Sequence, residues 1–326
     1  MDSTIPTSLN TPLLDRDSPP ILSFTSKLPL KEHPCKDTIV SNVQHYFAHA
    51  WPWNGDGEYD NFIGQDLELW TVMTLPEALD DRIEAAAMVT NLLFLVDDLL
   101  DVWHDDQRKR FFNRFRGLIF GSIQPDQNNL LETVVADIYS HIRLSDQDDP
   151  LQLGQKFCEE SYRVLIASIN QEERDSTMQQ NNLQTYLDYR WGYGLIQWTC
   201  NIALPEHIVA NPMLHSLKRA AGTHGVLIND IFSYRRETMI AKNRSASGMV
   251  PDITMNVDER TAIAYLEDRI VEAEAMMIET AERLTESYSG EDRSICERYT
   301  TAVKYVYSGN AEWSKCCGRY NRFKSV

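Results

Sequence analysis

The chain has 326 residues, of which 43% are hydrophobic, and a formal charge of −17 from 31 Lys+Arg against 48 Asp+Glu. That suffices for one large core or two modest ones. The acidic balance opposes non-specific binding to nucleic acid or anionic membrane, both of which need basic surface, yet it admits a small phosphorylated partner whose charge Mg²⁺ and a few arginines neutralise locally.

Residues 1–35 are rich in Ser, Thr and Pro and read as an N-terminal tail, partly disordered and partly packed over the domain. Residues 36–326 read as a single catalytic domain. MDSTIPTSLN places an acid where a secretory signal has a base, and no apolar run reaches about 18 residues. A cytoplasmic protein without an integral membrane span is expected. Cys35, Cys158, Cys200, Cys296, Cys316 and Cys317 follow neither metal-ligand spacing nor a dense disulfide pattern, so free, buried thiols are expected.

The pattern Ile39, Val40, Val43, Tyr46, Phe47 predicts a helix over 37–52, stopped by Trp51-Pro52-Trp53-Asn54-Gly55. Phe62–Leu69 predicts a short helix, and 79–104 a long one with Asp80, Asp81 and Glu84 at its positive end. Further helices are expected over Leu130–Ile142, from Pro150 to about Gln171, and from a Ser176/Gln179 capping pattern through Cys200. Pro212 opens the next helical region, and 241–251 (AKNRSASGMVP) reads as a loop suited to a lid. Asn256 and Glu259 open a helix to about Ser287. Ser294–Tyr307 reads as a helix stopped by Gly309, before a short last helix carrying Trp313. Nine to twelve helices without strands, repeats, a P-loop or a dinucleotide fingerprint predict one large α-helical bundle.

Two stretches carry the chemistry. Asp97-Asp98-Leu99-Leu100-Asp101 follows the apolar run Leu92–Val96. A helix places Asp97 and Asp101 on one face, where like charges repel unless a cation intervenes. Downstream, Asn229, Ser233 and Glu237 are spaced four and four, a second face of oxygen ligands. Mg²⁺ takes oxygen ligands, few of them from protein, and is completed by substrate phosphates. Asp97 would therefore bridge two Mg²⁺ ions with help from Asp101, and Asn229, Ser233 and Glu237 would chelate a third. Asp98 is expected to point aside, towards Arg, Lys or solvent. Arg190, Arg236, Arg319 and Tyr320 are the candidate diphosphate partners. Each arginine taken singly would sooner be a structural ion pair; the joint pattern shifts that weighting.

Four motifs in order make the chain resemble the class I terpene cyclases, most narrowly fungal sesquiterpene synthases of the aristolochene synthase type: DDLLD, NDIFSYRRE, the upstream Arg190, and Arg319-Tyr320. LLFLVDDLLD and GNAEWS extend the likeness, which spans about residues 37–320. The resemblance implies an all-α class I terpenoid synthase bundle around an apolar cavity. It implies farnesyl diphosphate as substrate, three Mg²⁺ ions (Mn²⁺ as a substitute) and release of diphosphate. The resulting allylic cation cyclises to a C15 hydrocarbon or alcohol, with no protein nucleophile. Two positions depart from the pattern: Arg236 stands where Lys is common, and Asp101 where aristolochene synthases have Glu.

Phe94, one turn before Asp97, and Trp313 are the leading candidates to line the cavity and face a carbocation. Gly194 is a candidate backbone contact to the reacting chain or a packing glycine. Monomer and homodimer are both compatible with the resemblance. The alternatives are a cyclase for geranyl or geranylgeranyl diphosphate, a helical prenyltransferase and a noncatalytic helical interaction protein. A prenyltransferase normally carries two aspartate-rich motifs, and the Asn-Ser-Glu ladder speaks against it. An interaction protein would show no metal-dependent diphosphate release.

Overall fold

The computed structural model describes residues 24–147, 150–169, 194–243 and 259–321. Among the described residues all regular structure is helical. The helices are α1 (Lys36–Ala50), α2 (Asp56–Ile63), α3 (Leu67–Thr74), α4 (Ile83–Val102), α5 (Asp105–Ile119), α6 (Leu130–Leu144), α7 (Leu153–Ile169), α8 (Gly194–Thr199), α9 (Glu206–Val209), α10 (Pro212–Asn243), α11 (Glu259–Glu286), α12 (Gly290–Cys316) and α13 (Gly318–Asn321). No described helix is long and apolar enough to cross a membrane.

The packing closes a ring. On one side α4 meets α3, α3 meets α12, and α12 meets α10. On the other, α4 meets α6, α6 meets α7, α7 meets α8, and α8 returns to α12. α11 lies along α10 for most of its length. One continuous apolar core runs through these contacts, from Phe47 and Phe62 through Phe115 and Tyr139 to Phe232 and Trp313.

α4 forms because Ile83–Val96 holds Ala, Leu and Met, good helix formers, with neither Gly nor Pro. Its two polar interior residues bond back along the helix: Thr90 Oγ1 donates to Ala86 O and Asn91 Nδ2 to Ala87 O, each at 2.8 Å. Ile83, Ala86, Ala87, Val89, Leu92, Leu95 and Val96 are buried, so the helix is covered on most sides. It reaches solvent where the acids begin: Asp97 is exposed and Asp98 half-buried.

Four element expectations need correction. Phe62–Leu69 is two helices: the chain breaks at Gly64-Gln65-Asp66, with Asp66 in the left-handed region at φ 57°. Gly309 lies inside α12 and does not end it, so Trp313 belongs to α12 and not to the short last helix. A Cβ on Gly309 would come within 2.1 Å of Met73 O, so the missing side chain lets α3 press against α12. That tertiary approach outweighs the propensity cost of an interior glycine, about 1 kcal/mol. α4 begins at Ile83, leaving Asp80 and Asp81 in the preceding turn. α10 extends to Asn243, which moves the start of the expected 241–251 loop; its remainder lies outside the described residues.

Residues 24–35 lie against the bundle as a strap. Ser26 Oγ donates to Glu274 Oε2 at 2.7 Å, and the Lys27 N–H donates to Glu274 Oε1 on α11. Ser308 Oγ on α12 donates to Pro29 O, and the His33 N–H to Val72 O of α3 at 2.8 Å. Leu28 and His33 are buried. Below the strap, His224 of α10 is fully buried with Nε2 3.7 Å from Glu274 Oε2. Burial raises the Glu274 pKa, but His224, the Lys27 N–H and Ser26 outweigh it and hold the carboxyl below its ordinary value.

Candidate active site

The C-terminal ends of α4 and α12, the later part of α10, and α13 meet at one end of the ring, with Asp98 at the junction. Arg319 grips this carboxylate with both terminal nitrogens, Nη2 to Oδ1 at 2.9 Å and Nη1 to Oδ2 at 3.1 Å. Arg236 Nη2 reaches the same Oδ1 at 2.5 Å. Burial pushes the Asp98 pKa up; Arg319 first and Arg236 second outweigh it and hold the carboxyl below its usual range. Burial likewise disfavours the Arg319 charge, but Asp98 beside it drives the guanidinium pKa above its usual value.

Tyr320 makes the second cross-link, donating its hydroxyl to Asn229 Oδ1 at 2.8 Å. Asn229 keeps a further lone pair there. One turn on, Ser233 is 4% exposed, and its Oγ has no hydrogen-bond partner among the described residues. A buried hydroxyl left unbonded costs about 1–3 kcal/mol, so this oxygen has an acceptor lone pair to offer a ligand. With Asn229 Oδ1 on the same helical face, the donor set suits a hard cation. Arg190 lies outside the described residues. Asp101 and Glu237 belong to α4 and α10, but their side chains lie outside the described part.

The aromatic candidates gather at the same junction. The Arg319 guanidinium carbon stands 4.9 Å from the Phe94 ring centroid. Phe94 faces Trp313 at 5.7 Å between centroids, and Trp313 meets Tyr320 edge-on at 5.3 Å. Trp313 is 1% exposed, with Nε1 donating to Asp66 O at 2.7 Å. Gly194 opens α8 with its N–H on the Glu160 carboxylate; a Cβ there would stand 2.0 Å from Glu160 Oε2. That oxygen is the far end of a flexible side chain and can move aside, so packing alone does not require glycine here. Trp198 is ordinary core, stacked on Phe157 at 5.2 Å with Nε1 on Ser145 Oγ.

Sequence reasoning missed the turn that carries this end of the molecule. Gln65 and Asp66 receive part of the α12–α13 corner: the Arg319 N–H donates to Gln65 O at 3.1 Å, and the Gly318 N–H to Asp66 Oδ2 at 2.8 Å. Arg319 Nη1 also donates to Gln65 Oε1. The available signal was Gly64, a helix breaker inside an apolar stretch.

Away from this end, the ligand atoms of His33, Cys35 and Asp80 lie within 4.8 Å of one another. His33 Nε2 faces Ala78 O at 3.1 Å, and its Nδ1 accepts the Cys35 N–H at 3.2 Å. Those bonds require the Nε2–H tautomer and engage both ring nitrogens, so the cluster fastens the strap and has no imidazole lone pair for a metal.

A closed ring of helices, with Asp98 of α4 and Asn229 of α10 both tied to α13 at one end, matches the all-α bundle of class I terpenoid synthases. Terpene synthase family 2, C-terminal metal binding, matches residues 88–275, more than half of the chain, and the protein belongs to that family. It is therefore a terpene synthase, a carbon–oxygen lyase acting on an allylic diphosphate. The (+)-aristolochene synthase TS1 of Penicillium expansum is 24% identical over 299 residues, 89% of this chain and 88% of that protein. Aristolochene synthase of Aspergillus terreus is 21% identical over 299 residues, 89% of this chain and 91% of its own. The crystal structure of aristolochene synthase from Penicillium roqueforti superposes with a TM-score of 0.70 at 20% identity, covering 92% of this chain and all (100%) of that one. That likeness bears on the fold.

Proposed function

We propose that the protein is a Mg²⁺-dependent sesquiterpene synthase, residues 36–326 forming its catalytic domain, that ionises farnesyl diphosphate and cyclises the farnesyl cation to a C15 hydrocarbon or alcohol. One observation carries the reading. The two acidic ladders and the terminal Arg-Tyr pair, far apart in sequence, are cross-linked at one bundle end through Asp98 and Asn229. Sesquiterpene synthases among the similar proteins support the chain length.

Asp97 and Asp101 on α4, and Asn229, Ser233 and Glu237 on α10, would hold the metal, three ions by the resemblance. Bound Mg²⁺, or Mn²⁺ in its place, supplies positive charge that stabilises the diphosphate as a leaving group. The chain's own part is positioning. Asp98 sets the Arg319 and Arg236 guanidiniums at the mouth. Hydrogen bonds to Asp98 and Gln65 use three of the five Arg319 N–H donors, which leaves two for diphosphate oxygens. Arg236, Arg319 and Tyr320 would form the diphosphate side of the site, with Arg190 as the further partner that the resemblance implies. The allylic carbon–oxygen bond breaks, its electron pair departs with the diphosphate, and the cation remains in an apolar chamber. A distal double bond closes the ring, and loss of a proton or capture of water ends the reaction. Phe94 and Trp313 would line the chamber and face the cation, and Gly194 would contact the reacting chain through its backbone, as the resemblance implies. The work is cytoplasmic, by a monomer or homodimer, with neither nucleic acid nor membrane as partner.

The test incubates purified protein with geranyl, farnesyl or geranylgeranyl diphosphate, each with and without isopentenyl diphosphate. Volatile C15 products from farnesyl diphosphate alone are expected. Longer diphosphates formed only when both substrates are present would replace this reading with chain elongation.

A further inference from the structure

The turn between α2 and α3 has no assigned part in the chemistry, yet it makes more bonds to the α12–α13 corner than its size requires. Asp66 occupies the N-cap position of α3, where an aspartate ordinarily accepts an N–H of its own helix. Its carboxylate makes no such cap; it accepts the Gly318 N–H at 2.8 Å, the residue before Arg319. Gln65 holds Arg319 at both ends, its backbone oxygen on the Arg319 N–H and its Oε1 on Nη1. Asp66 O takes the Trp313 indole N–H at 2.7 Å. Asp66 also adopts φ 57°, a left-handed conformation that costs a residue with a Cβ about 1 kcal/mol or more. Without that backbone turn its carboxylate and carbonyl could not face the corner together.

We propose that Gln65 and Asp66 are positioning residues for diphosphate recognition: the turn cradles Gly318-Arg319 and fixes the Arg319 guanidinium at the mouth before substrate arrives. This rests on the reading of Arg319 as a diphosphate ligand. A long side chain on a four-residue helix otherwise loses rotamer freedom on binding. Held by Gln65 below and Asp98 beside, Arg319 has already lost it, and binding is stronger for that.

The experiment uses the full chain and inorganic diphosphate with MgCl₂ as the probe. Calorimetry gives the affinity, thermal unfolding the Tm, and turnover of farnesyl diphosphate the KM and kcat. Gln65→Met keeps the backbone bond and removes only the grip on Nη1. Asp66→Gly relaxes the backbone and removes the acceptor. Asp66→Asn keeps both a residue that tolerates the left-handed region and an oxygen acceptor. Diphosphate affinity is expected to fall about tenfold in Gln65→Met and Asp66→Gly, the loss of one bond to a charged or buried donor. Asp66→Asn is expected to stay within about threefold of the original chain, at an unchanged Tm. A merely conformational turn predicts the opposite order, with Gly at least as good as Asn. Equal affinity in Asp66→Gly and Asp66→Asn, or original affinity in Gln65→Met, overturns the proposal. Should Asp66→Gly not fold, Gln65→Met decides. Arg319→Ala separates the two readings. If it binds Mg²⁺–diphosphate like the original chain, the diphosphate role of Arg319 falls and the cradle with it. If it binds weakly while both cradle variants bind normally, only the cradle falls.

Discussion

Ser233 brings the conflict between stability and function down to one oxygen. Its hydroxyl is buried and unbonded among the described residues, so as a structural group it is a liability. Ser233→Ala removes that liability. The variant is expected to keep or raise stability, by up to about 1 kcal/mol in urea unfolding, while losing most Mg²⁺-dependent turnover. Reduced stability with normal turnover would identify the hydroxyl as packing. At this scale the sequence was informative about chemistry and silent about partners. Asn229, Ser233 and Glu237 could be paired by helical spacing alone. That Asp98 turns towards basic groups agrees with the expectation from sequence, although spacing alone did not decide it, because Asp98 and Asp101 are three apart and also neighbours on the helix. Which arginines receive it was not legible, since Arg236 and Arg319 come from elements 138 and 221 residues away. Gln65 and Asp66 went unread for the same reason: their bonds are made to the distant α12–α13 corner, and only Gly64 marked the break.

Whole elements were readable where apolar periodicity was long, as in α1, α6 and α10. They were misread where glycine had two meanings. An interior glycine and a C-terminal stop look alike in sequence; Met73 O against Gly309 decides between them. Gly309→Ala must push α3 from α12 or bend one of them, and is expected to cost about 2–3 kcal/mol in chemical unfolding. A neutral result would mean that the two helices do not press together there. The strap gives an element-scale pH prediction. The Glu274 pKa is depressed in the folded chain, so its contribution is complete above the ordinary glutamate value, about 4.3, and is lost as pH falls through the folded value. Tm measured from about pH 6 downwards should fall more steeply below about pH 4.3 in the original chain than in Glu274→Gln. The variant should already be less stable at the upper end of that range, because the Lys27 N–H and Ser26 lose a charged acceptor. Parallel curves would remove Glu274 as the anchor of the strap.

Across the whole molecule the bundle does two things at once. It gathers distant polar residues at one end, and it packs a continuous apolar core behind them. The sequence announced the all-α class through its missing strands and long amphipathic runs. It could not announce the ring, because no local pattern says that α8 returns to α12. The resemblance to terpene cyclases supplied that closure as an expectation, and the packing and the family match agree with it. On the proposed reading a chain of charge −17 would receive a diphosphate because net charge describes the surface, while Arg236, Arg319 and bound cations would set the sign locally. The central claim is that this mouth ionises an allylic diphosphate with the help of bound metal. Its most direct test follows inorganic diphosphate and volatile C15 product together in one reaction with farnesyl diphosphate. The two should appear in equal amounts, stop when a chelator is added and resume with Mg²⁺. Diphosphate release that survives removal of all divalent metal, or no release at all from the folded protein, would contradict the account.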